Sequence, residues 1–441
     1  MSTRIQRCGI GGGPIVVTAI RVSIAASISA VLLQAACAGV PTITEYSALV
    51  GAAASRGELG YDVEVIGARV AVGAPAADAQ SNAGTFGGGQ PVQNSGAVSR
   101  WERSAAGSYA EITGPILPNP QSPDGRFGVS LDSFGARLAA TQPSPPRVRV
   151  YQFDNAVTLE QTLIPQQLGA AGNLAIVSVS TFADYAAVGV VRNYSNSGSV
   201  EFFRRVGGQW ASTHVIDSPT PAAPNIGFGY STTMTEGSVF IGTPYFDPVG
   251  GETIPGAVFE YGRPGSGTVW PLRNILSLPP SAPTEQPALF GFSTDSAGTL
   301  MVAGAPQFRS TPTGPEVGAV VVHEYDPGSD IWVRRATLIN PELEADSDFG
   351  YAVATNGDDI VIGAPNGNNQ NGVAYWYTRT GLESWELVHR MARTAVGAHG
   401  FGSAIALTSD ASAVIGAPGF SQVGGAAYEF KAEQLLADGF E

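Results

Sequence analysis

Apolar and polar positions along this chain alternate in short bursts, with no long helical face. Residues 349–365 (FGYAVATNGDDIVIGAP) show the unit. Phe-Gly opens it, an apolar run follows, then a polar turn, a second apolar run and a closing Gly-Ala-Pro. Apolar runs of this length bounded by Gly, Asn, Asp and Pro read as strands. The same order returns at residues 59–75, 228–244, 290–306 and 401–418. A sixth window, 127–143, closes on Thr-Gln-Pro. A seventh, 175–191, keeps Gly189 but has neither Phe-Gly nor the proline.

Each window predicts a hairpin. In residues 349–365 the strands are 351–355 and 360–362, and Asn356-Gly357 supplies the positive φ values of a tight turn. Gly363 admits a neighbouring backbone, and the following proline ends the strand. A third strand opens on Gly and carries aromatics, as in GAVFEY (256–261), GAVVVHEY (318–325), GVAYWY (372–377) and GAAYEF (425–430). A fourth often holds a tryptophan: Trp210, Trp332 or Trp385. Small residues in the first strand (Ala352, Ala354, Ala404, Ala406) fit crowding at a central axis.

The windows start at 59, 127, 175, 228, 290, 349 and 401, so they lie 48 to 68 residues apart. Short strands repeating at that period indicate a propeller or solenoid. Seven four-stranded antiparallel units predict an all-β fold, a seven-bladed β-propeller over residues 39–430. The last unit has only eleven residues after its third strand. Residues 42–49 (TITEYSAL) are therefore expected to supply its fourth strand and close the ring.

Composition adds two constraints. The chain is 44% apolar and 14% charged, with 56 Gly and 31 Pro, which favours a cored, turn-rich β fold over disorder. Residues 1–38 read as an export signal: Arg4, Arg7 and Arg21, then an apolar run at 22–33, then Ala36-Cys37-Ala38 as a small-x-small cleavage site. Twelve apolar residues are too few to span a bilayer. Secretion or a periplasmic or outer-surface location is expected, with a lipoprotein anchored at Cys37 as the alternative. Cleavage after Ala38 removes both cysteines, and with them any disulfide or thiolate site. It leaves 20 basic against 37 acidic residues, a balance that disfavours nucleic acid and anionic membranes.

The Phe-Gly…Gly-Ala-Pro windows with their GxAYxF third strands resemble FG-GAP repeats, in particular a bacterial secreted variety. FG-GAP repeats build the seven-bladed propeller at the head of integrin α subunits. The resemblance covers residues 59–430. Residues 431–441 form a C-terminal tail, and the final five (ADGFE) resemble a short ending of secreted Gram-negative proteins. Integrin-like members hold calcium on a D-x-D/N-x-D-G-x-x-D loop between first and second strands. The corresponding turns here, at 355–359, 408–412 and 295–299, are too short and carry too few acids to wrap a cation. The resemblance therefore implies no metal, and no cofactor is expected.

Little else reads as chemistry. His214, His323, His389 and His399 stand at no metal-ligand spacing, and no G-x-S-x-G elbow occurs. Glu342, Glu344, Asp346 and Asp348 crowd the linker before Phe349, where a solvated loop competes with a weak cation site. Asp358 and Asp359 read as turn residues. No catalytic residue is assigned. Loops carry recognition on rigid scaffolds, and the loops between second and third strands vary most, the longest being 76–95. They yield a candidate ligand ring of Asp78, Asn82, Phe86, Tyr245, Phe246, Asp247, Phe308, Arg309, Asn366 and Asn369. Its aromatics and amides suit a glycan or an extended peptide. The expected function is an exported, monomeric, non-catalytic propeller binding a protein or glycan of the envelope or surroundings. The alternative is a hydrolase or lyase whose acids converge on the central channel.

Overall fold

The computed structural model describes residues 42–43, 47–49, 57–78, 93–104, 109–112, 114–154, 156–166, 174–192, 196–219, 226–246, 255–278, 288–311, 313–393, 400–408, 412–419 and 425–431. They form seven antiparallel sheets, the blades of a ring. Blade 1 holds Val63–Ile66, Arg69–Ala74, Ala97–Arg103 and Tyr109–Glu111; blade 2 holds Leu131–Phe134, Arg137–Gln142, Arg147–Phe153 and Val157–Leu163. Blade 3 holds Leu174–Phe182, Tyr185–Arg192, Asn196–Val206 and Gln209–Asp217; blade 4 holds Ser231–Met234, Ser238–Thr243, Ala257–Gly262 and Leu272–Leu276. Blade 5 holds Thr294–Ala297, Leu300–Ala305, Ala319–Asp326 and Ile331–Ile339; blade 6 holds Ala352–Thr355, Asp359–Ala364, Val373–Gly381 and Ser384–Met391. Blade 7 holds Ala404–Leu407, Ser412–Ala417 and Ala426–Lys431, with Ser47–Leu49 antiparallel to the last of these.

The segment read as one strand at 42–49 is thus divided. Thr42–Ile43 runs parallel to Ser384–Met391 on blade 6, and Ser47–Leu49 pairs in blade 7. Among the described residues no helix is long and apolar enough to cross a membrane.

Burial follows position in the blade. The second strands Ser238–Thr243 and Leu300–Ala305 are buried at every residue, because neighbouring strands flank them and neighbouring blades cover both faces. The rim strand Leu272–Leu276 buries one residue of five. Phe127, Phe228, Phe290, Phe349 and Phe401 are 0% exposed, as is Leu59, which opens the first window. Each of these phenylalanines but Phe290 packs edge-on or tilted against an aromatic of its own third strand, for example Phe349 on Tyr375 at 5.5 Å between centroids.

The glycines of the repeat meet across the seams. A Cβ built on Gly304 would lie 1.9 Å from the carbonyl oxygen of Gly350 in the next blade. The pairs Gly73–Gly128, Gly189–Gly229, Gly242–Gly291, Gly363–Gly402 and Gly416–Gly60 repeat this contact at 2.0–2.1 Å. The exception explains itself. Thr141 stands where blade 2 should have its glycine, and the window of blade 3, which it faces, has lost Phe-Gly. Both sides of that seam changed together, and Thr141 Oγ1 instead accepts from the Ser130 N–H of its own blade at 2.9 Å.

Candidate functional site

The seven first strands surround an axial channel of about 780 Å³. Side chains at alternate positions of each first strand point toward the next blade and stitch the ring. Ser178, Ser231 and Ser293 donate to the carbonyls of Gly229, Gly291 and Gly350, each at 2.9 Å. Where an aspartate replaces the serine or alanine, it accepts from a backbone N–H. Asp62 Oδ2 takes the Leu131 N–H at 2.6 Å, and Asp295 Oδ2 takes the Thr355 N–H at 2.7 Å. Asp132 Oδ2 takes the Thr181 N–H at 2.6 Å and also the Thr181 hydroxyl. Glu64 Oε1 accepts from Ser133 Oγ at 2.7 Å.

Asp62, Glu64, Asp132, Glu236 and Asp295 therefore line one cavity from four blades, and among the described residues its lining includes no Arg, Lys or His. Burial without a counter-cation disfavours their charged forms. Desolvation, opposed by the N–H groups of Leu131 and Val63, pushes Asp62 up to about 7. Desolvation likewise raises Asp295 to about 6, and raises Asp132 to about 8 against the two Thr181 hydrogen bonds. Glu64 is driven well above the usual carboxylate range, first by desolvation and then by the Asp132 charge.

These acids tie stability to pH. A carboxyl whose folded pKa exceeds its unfolded value stabilises the fold fully below the unfolded pKa, and that contribution is lost as pH rises through the folded one. For Asp132 the window runs from about 4 to about 8. Asp132→Asn keeps an acceptor for Thr181 and removes the charge. It is expected to stabilise the chain at pH 8 by about 1–3 kcal/mol and to change little at pH 4. Thermal unfolding at both pH values checks this, and a variant that follows the parent at pH 8 overturns it.

Aromatic residues ring the Phe-Gly end of the channel. Phe292 lies 4.8 Å from both Tyr230 and Tyr351. Burial raises the Tyr230 and Tyr61 hydroxyls, and raises Tyr351 to about 12. At the other end Phe134 and Phe182 meet at 4.7 Å.

The loop residues expected as a ligand ring separate. Tyr245 is 38% exposed and sets its ring edge on Tyr230 at 6.3 Å, so it borders the channel mouth. Phe246 and Phe308 are 8% and 6% exposed and belong to the packing around blades 4 and 5. In each, a backbone bond to the residue three before it (Thr243 at 3.1 Å, Ala305 at 3.0 Å) folds the aromatic back under the loop. Arg309 pairs with Glu316 at 2.6 Å, and Asp78 accepts from the Asn94 N–H at 3.0 Å. Asn366 donates to Asp348 at 2.6 Å, and the Asn369 N–H donates to Glu344 at 3.2 Å. Asn82, Phe86, Asp247 and His399 lie outside the described residues.

The remaining candidates are tied into packing and loops. His323 and His389 are 3% and 8% exposed, and burial lowers each to about 4. His214 lies 6.4 Å from Phe202. Glu342 pairs with Arg390, Glu344 holds the Asn368 N–H at 2.8 Å, and the Asp346 N–H bonds the Glu316 carbonyl. Burial raises Asp348 to about 6. Asp359 accepts from Thr378 Oγ1 at 2.6 Å, and the Asp358 N–H donates to Asn356. Among the described residues no three or more His, Cys, Asp or Glu side chains are arranged to hold a metal ion.

A family model described as FG-GAP repeat matches residues 332–377, from the rim strand of blade 5 to the third strand of blade 6. No curated protein matches the chain in sequence. Among solved structures, a provisionally assigned 6-phosphogluconolactonase from Bacteroides uniformis matches at TM-score 0.50 and 10% identity, over 78% of this chain and 88% of that one. A second from Bacteroides fragilis matches at TM-score 0.46 and 10% identity, over 74% and 84%. A protein of Lactobacillus plantarum matches at 0.44 and 10%, over 76% and 85%. At such identity the first likeness speaks to fold alone.

Proposed function

The chain is a seven-bladed propeller of FG-GAP repeats, and from that premise we propose that it is an exported, non-catalytic binding module. It receives a cationic group of a protein partner, a lysine or arginine side chain, into the axial channel from the loop face. One observation carries this reading: five carboxylates face the channel, and among the described residues no cationic side chain lines it. A cation entering there would restore the ionised acids that burial disfavours. Tyr230 and Tyr351 line the same channel and place aromatic rings near that charge. A neutral or acidic glycan supplies no such complement.

The test is calorimetric titration with spermidine and with a short lysine-rich peptide. Affinity is expected to rise from pH 5.5 to 8.5, with protons released on binding. Glu64→Gln combined with Asp132→Asn should weaken it by at least about tenfold. Affinity indifferent to both pH and the double change sinks the proposal.

A second reading, hydrolase or lyase chemistry at the axis, draws on the acids of several blades meeting there with Asp132 pushed up to about 8 beside Glu64. Two acids in electrostatic contact, of which one gives up its proton before the other, are the pairing that acid–base cleavage of glycosides uses. It requires turnover of an oligosaccharide that Asp132→Asn abolishes, whereas binding without turnover leaves the first reading.

A further inference from the structure

Acids outnumber bases in this chain by 37 to 23, and about half of the described arginines pair with one. Arg137 and Arg205 share Glu160, Arg335 and Arg379 share Glu324, and Arg126, Arg309 and Arg390 pair with Glu58, Glu316 and Glu342. Among the rest, three stand together near one groove. Arg204, Arg263 and Arg273 form no ion pair with any described residue. The guanidinium carbons of Arg204 and Arg263 lie 5.4 and 5.9 Å from the centre of the Tyr185 ring. Arg263 and Arg273 line an open groove of about 440 Å³ with Tyr185, Gly237 and Pro264, on the turn side between blades 3 and 4. Tyr185 is itself held edge-on by buried Trp270 at 5.8 Å.

Isolated surface arginines need no explanation. In an acidic chain, three arginines around a single tyrosine and its groove, without an ion pair among the described residues, leave a concentrated positive charge. Guanidinium groups present planar forks that match oxyanions. Stacking on Tyr185 limits the side-chain freedom that binding would otherwise cost. Glu236 is the one carboxylate in the groove among the described residues. It forms no ion pair there, and it also lines the turn-side mouth of the axial channel.

We propose that the Tyr185–Arg263–Arg273 groove is a second binding site, for an oxyanion borne on an acidic oligosaccharide. It differs from the channel in charge and, among the described residues, shares only Glu236 with it, so either site can fail without the other. Carboxylate and sulfate share the chemistry, and separate probes distinguish them.

The experiment titrates the full chain at low ionic strength with an oligogalacturonate, a heparin-derived tetrasaccharide and inorganic sulfate. Heat and tryptophan fluorescence are followed, since Trp270 touches Tyr185. Saturable binding of at least one oligosaccharide is expected, and which one binds identifies carboxylate or sulfate. Arg263→Ala combined with Arg273→Ala should weaken it by at least about tenfold. Glu236→Gln, which removes a like charge, should strengthen it about two- to fivefold. Arg334→Ala on the rim of blade 5 should change nothing, and unfolding midpoints confirm that each variant is folded. Binding of no probe overturns the proposal. So does retention in the double variant, an equal loss in Arg334→Ala, or saturation by inorganic sulfate alone as an adventitious ion only.

Discussion

Gly304→Ala is expected to destabilise the ring by more than about 4 kcal/mol, the range reached only when a seam must open. Its Cβ would stand 1.9 Å from the Gly350 carbonyl oxygen and 2.4 Å from Ser293 Oγ. The serine can rotate away, but the carbonyl belongs to the backbone of the next blade. Relieving the contact means moving blade 5 from blade 6, which loosens the cluster holding Val302, Val320, Phe349 and Ile362. Gly298 is the control. Nothing lies within 4 Å of its added Cβ, so Gly298→Ala bears only the strain of φ +58°, about 1 kcal/mol. Denaturant midpoints of the two variants decide the matter. Similar midpoints would mean that the seam contact does not hold the blades.

Phe349→Ala should cost about 3–5 kcal/mol, the usual loss for a buried phenylalanine whose cavity cannot collapse. The ring is 0% exposed, lies against Tyr375, and its Cβ is 2.8 Å from where a side chain on Gly318 would begin. Collapse is blocked because the surrounding residues are strands of two blades, fixed by their ladders. Phe349→Leu should cost only about 1 kcal/mol, because Leu59 fills the equivalent place in blade 1 and is itself 0% exposed. Equilibrium unfolding of both variants tests the pair. An alanine variant as stable as the leucine one would show that the site refills and that the aromatic is not the wedge of the seam.

Much of this architecture was legible in the chain, because the information is local and repeated. Asn356-Gly357 specifies a turn wherever it stands, and Gly-Ala-Pro ends a strand through its own backbone preferences. Seven copies let each weak signal reinforce the others. Even the weak window at 175–191 proved to be a blade, since Gly189 still meets Gly229 across the seam.

The site was legible only in part. Tyr245, a loop aromatic, borders the channel mouth, while Phe246 beside it turns inward. The two look alike in sequence, and the backbone turn at Thr243–Phe246 separates their fates. The channel acids left a readable trace: Asp62, Glu64, Asp132 and Asp295 sit at alternate first-strand positions where other windows carry Ser, Thr or Ala.

By itself, then, the sequence determined the strand order, the turn chemistry, the repeat and the places where backbones approach, since each depends on residues near one another or on a fixed period. Only the tertiary structure decided that acids far apart in the chain would face one cavity without a counter-cation. It also decided that Arg204, Arg263 and Arg273 would gather around Tyr185. Charge meeting charge across a ring depends on the angle between blades and on what burial removes from water. No stretch of a single strand encodes either.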